Sequence, residues 1–460
     1  MNRYTNQTIC LVAVMILLLT STVAQALDPL SGLLSEPGSA GLGAVVRSSQ
    51  SPYIGSRQRN DLIPLYIYEG ERFFLHASRG GIKLRDDDNI RFDVFFDYRF
   101  EGFPYDHIPA SLAGMQAREP TTDMGVSARY RSPWGTFGME IVHDALGITN
   151  GSEIHLNYRM DWSSGRLRLL PAIIVSARSA NLNNYYYGVR LEEATATRPA
   201  YKPGAGTSVW LGIYGAYDLS KRWRMVGGVG ANRFSANVRH SSIIQDTSLP
   251  EVSLGAVYDF GSFRDQPAEQ GSPLYVKLLY GWSTDCNLIR TMTLRCFSTS
   301  TVDNTRIAAI ELGKPFMQEV NGWPLDFVGY VGLLRHDENG LQSNSLEVDA
   351  YMKAYYYGFP WSERVKTRLG LGAGLSLAQR VPFVEVRDQT RRGGNTSRVL
   401  NYLDPTIDLS VGDLLGVKTL KNTYAGVGVS HRSGIFGSSK LLGNVNGGSN
   451  YLYSYLEWQM

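Results

Sequence analysis

The chain has 460 residues, a formal net charge of +3, 27 tyrosines and 48 glycines. A charge this small argues against a surface that neutralises nucleic acid or another polyanion, so we expect no nucleic-acid partner. Downstream of the N-terminal segment there is no run of about eighteen apolar residues, which argues against helical membrane spans. Abundant tyrosine and glycine are typical of a membrane β-barrel, which has aromatic interfacial belts and crowded strand contacts.

The N-terminal residues predict a cleavable signal peptide over residues 1–26. Arg3 precedes an apolar run from Ile9 to Leu19, and Ala24-Gln25-Ala26 then supplies a small-residue cleavage site. The run is too short to span a bilayer, which takes about twenty apolar residues. We therefore expect an exported protein whose mature chain begins near Leu27 and whose destination is the outer membrane of a Gram-negative cell.

Apolar residues recur at every second position over most of the mature chain, which is the period of a β-strand. The clearest alternating stretches are Phe92 to Phe100, Ile154 to Trp162 and Leu346 to Lys353. The first two span nine residues and the third eight, close to the roughly nine to eleven residues that cross a bilayer at the tilt of a barrel strand. A soluble periplasmic β-protein would alternate too, but strand length and aromatic strand ends favour an all-β, transmembrane antiparallel β-barrel.

The strand pattern divides into about twelve strands before residue 262 and about eight after it. A polar stretch at 263–272 reads as a linker between a first unit, 38–262, and a second unit, 273–460. Gly255, Tyr258 and Phe260 match the spacing of a barrel-closing strand, which indicates that the first unit is complete. The C-terminal strand is a poorer match, so tandem barrels and one large barrel both remain open.

Two cysteines remain after signal cleavage, Cys286 and Cys296. An even pair in an oxidising compartment predicts a disulfide that ties the base of a hairpin loop, the alternative being two free thiols. No histidine lies near the pair, and no phosphate-binding, dinucleotide or zinc motif occurs, so we expect no metal and no cofactor. The polar stretch from Arg387 to Arg398 is expected to be a long mobile loop, either solvated or in contact with lipopolysaccharide phosphates.

The first half of the chain resembles the MipA/OmpV family of outer-membrane proteins. The matching stretches are Gly41-Leu42-Gly43-Ala44-Val45, Ser51 to Ser56, DLIPLYIY with ERFFLHASRGGIKL after it, Asn183 to Val189, and the strand ending at Phe260. The resemblance covers about half of the chain. It implies a barrel and, for one branch of the family, a scaffold that links a murein hydrolase to a murein synthase. It carries no catalytic residue.

The C-terminal strand pair, GVGVSHRSGIFG and GGSNYLYSYLEW, resembles the end of PagL-type lipid A deacylase barrels. The resemblance implies a nucleophile and base at Ser433 and His431, which share one face of a strand because they lie two residues apart. Gly434 stands where that family has an oxyanion-binding Asn. The acidic residue that orients the histidine ring in that family is also missing from the expected position. Asn450, or Glu457, is the nearest substitute.

Taken together, the sequence favours a non-enzymatic scaffold or structural component of the cell envelope. The rival hypothesis is an acyl-ester hydrolase of lipid A or phospholipids that uses Ser433 and His431, with Asn450 as orienting residue. A passive pore is a third class, disfavoured because charged side chains fill the predicted lumen. The partners we expect are outer-membrane lipids, lipopolysaccharide and, through the family resemblance, murein-synthesis proteins.

Overall fold

The computed structural model describes residue 33 and residues 39–460, except 57, 104–107, 246–247, 263–272, 293–294, 300–301, 436–441 and 444. The expected signal peptide at 1–26 and linker at 263–272 lie outside the described residues. The chain divides into two compact units, residues 1–261 and 262–460.

The first unit is an antiparallel sheet closed on itself. Its strands are β1 (Ser39–Gln50), β2 (Gln58–Glu69), β3 (Phe73–His76), β4 (Arg79–Asp86), β5 (Ile90–Arg99), β6 (Thr121–Ser132), β7 (Gly135–Asp144), β8 (Ser152–Arg159), β9 (Trp162–Ser164), β10 (Leu167–Arg178), β11 (Gly206–Asp218), β12 (Trp223–Phe234) and β13 (Ser248–Ser262). The short β9 pairs with β10 alone. The other strands form a ring of twelve, closed where β13 lies beside β1 and β10 pairs with β11.

The second unit is a closed barrel of eight strands in chain order. They are β14 (Tyr275–Ser283), β15 (Arg306–Met317), β16 (Leu325–Asp337), β17 (Ser345–Tyr356), β18 (Thr367–Ala378), β19 (Val399–Ser410), β20 (Thr423–Ser433) and β21 (Asn450–Gln459). Closure is made by β14 against β21. The expected transmembrane antiparallel barrel fold is confirmed, and the structure decides between the two open architectures in favour of separate barrels.

Helices occupy the connections. In the first unit they are α1 (Ala180–Tyr187), α2 (Ala236–Arg239) and the 3-10 turns Ala110–Leu112 and Leu191–Glu193. In the second unit they are α3 (Leu288–Met292), α4 (Phe383–Arg392), α5 (Val411–Leu415) and the 3-10 turns Val320–Gly322 and Lys418–Leu420. Among the described residues, no helix has both the length and the apolar character to cross a bilayer.

The strand faces are inverted relative to a water-soluble protein. On β17, Leu346 and Val348 are 45% and 44% exposed, whereas Glu347 and Asp349 between them are 1% and 0% exposed. Water would favour the opposite arrangement, because buried charge is costly and exposed leucine gains nothing. The apolar face is therefore a lipid-facing face, as the two-residue period predicted.

The two ends of the first barrel differ in the length of their connections. One end carries the connections 51–57, 100–120, 145–151, 179–205 and 235–247, whereas the other carries the turns 70–72, 87–89, 133–134, 165–166 and 219–222. Outer-membrane barrels place short turns in the periplasm and long loops outside the cell. We accordingly call these the outer end and the periplasmic end.

The prediction of a mobile loop from Arg387 to Arg398 is wrong for its first half, because Arg387 to Arg392 belong to α4. This helix buries Val384, Glu385 and Gln389, and it ends at Gly393, whose φ of 63° is a left-handed conformation that suits glycine. The apolar period was missed because polar Glu385 and Gln389 occupy buried positions. Their partners lie on distant strands, which local sequence does not show.

Because both closing contacts of the first barrel lie before residue 262, a chain that ends at residue 262 should insert and fold without the second unit. Heat-modifiable migration on gels checks this, since closed barrels resist unfolding in cold detergent. Phe260→Ala should impair assembly of the shortened chain. Degradation of the shortened chain under conditions where the full chain assembles would contradict the prediction.

Candidate functional site

The lumen of the first barrel is lined by arginine–carboxylate pairs from strands distant in sequence. Arg79 donates through both terminal nitrogens to Glu140, at 3.0 and 2.7 Å. Arg178 binds Glu101 in the same two-pronged way, at 2.6 and 2.7 Å, although 77 residues separate them. Such fork geometry offsets much of the desolvation cost of burying both charges. The pairs also tie non-adjacent strands of the barrel together.

Loops at the outer end fold into an apolar cap. The buried cluster comprises Tyr53, Phe103, Leu112, Met115, Leu182, Tyr186, Tyr187, Val189, Phe234, Val238, Ile243 and Leu249. These residues come from the connections 51–57, 100–120, 179–205 and 235–247 together with adjoining strand ends. The stretch Asn183 to Val189 therefore contributes cap core, which the strand pattern missed. A run of three tyrosines where strand alternation stops was the available signal.

A buried ion pair holds the cap connections together. Arg118, with no exposed surface, donates to both oxygens of Glu193 at 2.8 and 2.6 Å. Burial raises the pKa of Glu193, but hydrogen bonds from Arg118 and from the backbone N–H groups of Arg190 and Gln116 outweigh it, lowering the pKa to about 2. The pair therefore stays charged at neutral pH and fixes the 100–120 connection against the 179–205 connection.

The lumen of the second barrel contains three clusters of paired charges. Towards one end, Arg368 donates to Asp408 and Glu457, both at 2.8 Å from a guanidinium nitrogen. In the middle, Nζ of Lys277 lies 2.9 Å from Glu311 and 3.2 Å from Asp404.

The third cluster lies at the end covered by α4. Arg432 binds Glu347, and its Nε lies 2.9 Å from Glu385 of α4. Ser449 also donates to Glu385, at 2.7 Å. The helix is thus anchored inside the barrel mouth by buried polar contacts. Paired side chains occupy the part of the lumen that the structure describes, which does not favour a wide aqueous channel.

The candidate catalytic residues lie near the end of β20. His431 faces Asn450 across the β20–β21 pair, with 2.7 Å between Nδ1 and the side-chain oxygen. His431 and Ser433 share the face of Val427, which is 57% exposed on the lipid side. The structure thus places His431 and Asn450 together, as an orienting contact would require.

Other parts of the hydrolase arrangement are not assembled. Among the described contacts, none joins the Ser433 hydroxyl to the His431 ring. The backbone N–H of Gly434, a possible oxyanion donor, donates to the carbonyl of Gly447 at 3.0 Å. Glu457, the other possible orienting group, points into the lumen and binds Arg368. A nucleophile needs a base within hydrogen-bond reach, so catalysis would require rearrangement here.

Cys286 and Cys296 are joined by a disulfide in the loop that contains α3, with 5.7 Å between their Cα atoms. Cys286 is buried, and the short helix within the bridged loop exposes Ile289 and Met292. The described residues contain no group of three or more histidine, cysteine or carboxylate side chains placed to hold a metal ion.

Comparison with known proteins assigns the first barrel. The family profile described as MltA-interacting protein MipA matches residues 42–260. The outer-membrane protein OmpV of Vibrio cholerae serotype O1 is 32% identical over 198 residues, which are 42% of this chain and 76% of OmpV. This chain belongs to the MipA family. The family assignment agrees with the resemblance read from the sequence, and together with the barrels it establishes an outer-membrane protein.

Two further relatives define how much of the chain this family accounts for. Outer-membrane protein Omp26La of Vibrio anguillarum is 33% identical over 160 residues, and the match spans 35% of this chain and 62% of the relative. The MltA-interacting protein of Escherichia coli K12 is 26% identical over 238 residues, spanning 50% of this chain and 94% of the relative. The MipA-family part of the chain is therefore the first barrel.

Because its partner is buried, a lumenal arginine should contribute much more to the free energy of unfolding than an exposed arginine does. Arg178→Met removes the two-pronged partner of buried Glu101 and, among the described ion pairs, leaves it only Arg99, at 3.7 Å, which should lower the free energy of unfolding by about 3–5 kcal/mol. The matched control is Arg168→Met, whose partner Asp161 is about half exposed and which should cost less than about 1 kcal/mol. Urea unfolding of the full chain in micelles measures both, and equal losses would contradict the assignment.

Proposed function

We propose that this MipA-family protein is a non-enzymatic scaffold of the outer membrane that binds murein-synthesis proteins in the periplasm. The observation that carries the proposal is the extent of the match. The MltA-interacting protein aligns over 94% of its length, and the corresponding half of this chain forms a complete barrel. The relative's name states an interaction with MltA, and the closed barrel of this chain can present its own turns to the same kind of partner.

A lumen lined by paired charges supports a structural role. Buried ion pairs line the interior of the first barrel, and its outer end carries the apolar cap, so neither feature suits a wide passage for solutes. The apolar outer faces of the strands make outer-membrane lipids, including lipopolysaccharide, the surrounding partners.

A periplasmic partner would meet the short turns, and one of them presents a suitable anchor. Trp134, in the β6–β7 turn, is 80% exposed. Its backbone is held by the Tyr158 hydroxyl, which donates to the Trp134 carbonyl at 2.7 Å. A fixed backbone lowers the entropy that binding costs, and tryptophan is among the residues that contribute most at protein interfaces. We therefore place the partner contact at Trp134.

The test is binding of the purified MltA-type murein hydrolase of the source bacterium to the full-length protein in micelles. Trp134→Ser should weaken binding by about tenfold or more, as loss of an interface anchor does. The matched control is Trp323→Ser in the second barrel, which removes a tryptophan that is 65% exposed and should leave binding unchanged. If the wild-type protein does not bind the hydrolase, the scaffold proposal fails.

A second candidate function, an acyl-ester hydrolase, is favoured by one observation, the 2.7 Å contact between His431 and Asn450 beside the lipid face. In this function Ser433 would attack the ester carbonyl and His431 would take its proton, with Asn450 holding the ring. Because no described contact joins Ser433 to His431, and because the backbone N–H of Gly434 already donates to the Gly447 carbonyl, we expect no hydrolysis.

Mass spectrometry of lipid A from cells with and without the protein decides between the two functions. We expect identical profiles, and identical profiles for Ser433→Ala and His431→Ala. Loss of an acyl chain that depends on both residues would select the hydrolase and displace the scaffold as the leading function. The two substitutions would then have similar, non-additive effects, because nucleophile and base act as a unit.

A further inference from the structure

The lumen of the first barrel contains a partly open cavity of about 130 Å³. Its lining combines charged, neutral polar and aromatic side chains, among them Arg99, Asn157, Ser176, Ser208, Trp210 and Asn232. One water molecule needs roughly 10–15 Å³ of such cavity volume, so the cavity has room for on the order of ten water molecules. That capacity is comparable with a solute of about a dozen non-hydrogen atoms.

The charges that line the cavity cancel. Four arginines, Arg47, Arg79, Arg99 and Arg178, face four carboxylates, Asp97, Asp123, Glu140 and Glu153. Each arginine already forms an ion pair with a carboxylate inside the barrel. An ionic ligand would add an uncompensated charge to this balanced buried set, which is unfavourable. The cavity therefore favours a ligand without net charge.

Two neutral side chains in the lining have polar atoms that the described protein atoms do not satisfy. Trp210 and Asn232 are 3% and 4% exposed, and they face each other across the β11–β12 pair. Nε1 of Trp210 and the side-chain oxygen of Asn232 form no hydrogen bond with described residues. Nε of Arg99 and Nε of Arg47 are in the same situation. Buried polar groups normally have partners, so these donors and the Asn232 oxygen are available to a ligand.

The indole ring of Trp210 is placed to act as a flat surface. A Cβ at Gly230 would lie 2.5 Å from Cζ2 of this ring, and a Cβ at Gly212 would lie 2.6 Å from Cη2. The ring thus packs directly on glycine backbone, where any larger residue would displace it. Tyr214 stacks beside it at 5.8 Å between ring centroids and 24° between planes. An aromatic face next to unsatisfied donors and an acceptor suits a molecule with an apolar C–H face and hydroxyl edges.

We infer that this cavity binds a neutral polyhydroxylated solute of monosaccharide size. A sugar hydroxyl both donates and accepts, so it pairs with Asn232, Trp210 and Arg99 without breaking an ion pair. The C–H face of the sugar ring rests on the indole. A purely apolar ligand would leave these polar atoms unsatisfied, which is costly in a buried site.

The test uses the full-length protein in micelles and saturation-transfer NMR titrations with D-glucose and with N-acetyl-D-glucosamine. Acetate and inorganic phosphate serve as charged comparison solutes. We expect at least one of the two sugars to bind and neither anion to compete with it. Asn232→Leu and Trp210→Phe each remove one polar partner and should weaken binding by about tenfold.

The matched control is Trp223→Phe, which changes a tryptophan on the same sheet that is 49% exposed and should bind like the wild-type protein. Heat-modifiable migration verifies that each variant is folded. If Trp210→Phe does not fold, the result for Asn232→Leu is used alone. Absence of binding by both sugars overturns the inference. Sugar binding that the folded Asn232→Leu variant retains in full, or preferential binding of acetate or phosphate, also overturns it. The murein-partner proposal is unaffected by either result.

Discussion

Hydrocarbon offers no hydrogen-bond partner to a peptide group, so a chain that crosses it as strands must pair every strand edge with another strand. Both units meet this constraint by closing their sheets, one through β10–β11 and the other through β14–β21. Closure then dictates which face of each strand meets lipid and which meets the lumen. The exposed leucines and the buried carboxylates of β17 are direct consequences.

Closing the sheet also places the polar side chains of every strand inside the barrel, where their charges need partners. The polar face of each strand turns inward, and the buried charges are stable because arginines and lysines meet carboxylates from distant strands. In the second barrel Lys277 and Lys353 both bind Asp404, and α4 adds Glu385 to the cluster at the barrel mouth. Dense pairing of this kind ties non-adjacent strands of the barrel together.

The first barrel differs in leaving space within its lumen. Its outer end is covered by the apolar cap, where Tyr186 and Tyr187 are buried and Arg118 binds Glu193. Below the cap, glycines of β11 and β12 leave room for the indole of Trp210. The family match covers this barrel and not the second, so the scaffold role rests on the first unit. The second unit carries the His431–Asn450 contact, whose chemistry is incomplete as arranged.

The sequence by itself determined the period of the strands, their approximate number in each half, and the face on which each residue lies. These properties are local, because neighbouring side chains on a strand point to opposite sides. His431 and Ser433 could be placed on one face for the same reason. Phe92 and Asp93 were likewise assigned to opposite faces from adjacent positions alone.

Tertiary structure alone decided which strands close each barrel and therefore that two barrels form instead of one. It also decided that Arg178 meets Glu101, that His431 meets Asn450 and not Ser433, and that Glu385 lies on a buried helix face. All of these depend on contacts between residues far apart in the chain. Strand register and the filling of the lumen set such contacts, and both arise only when the sheet closes.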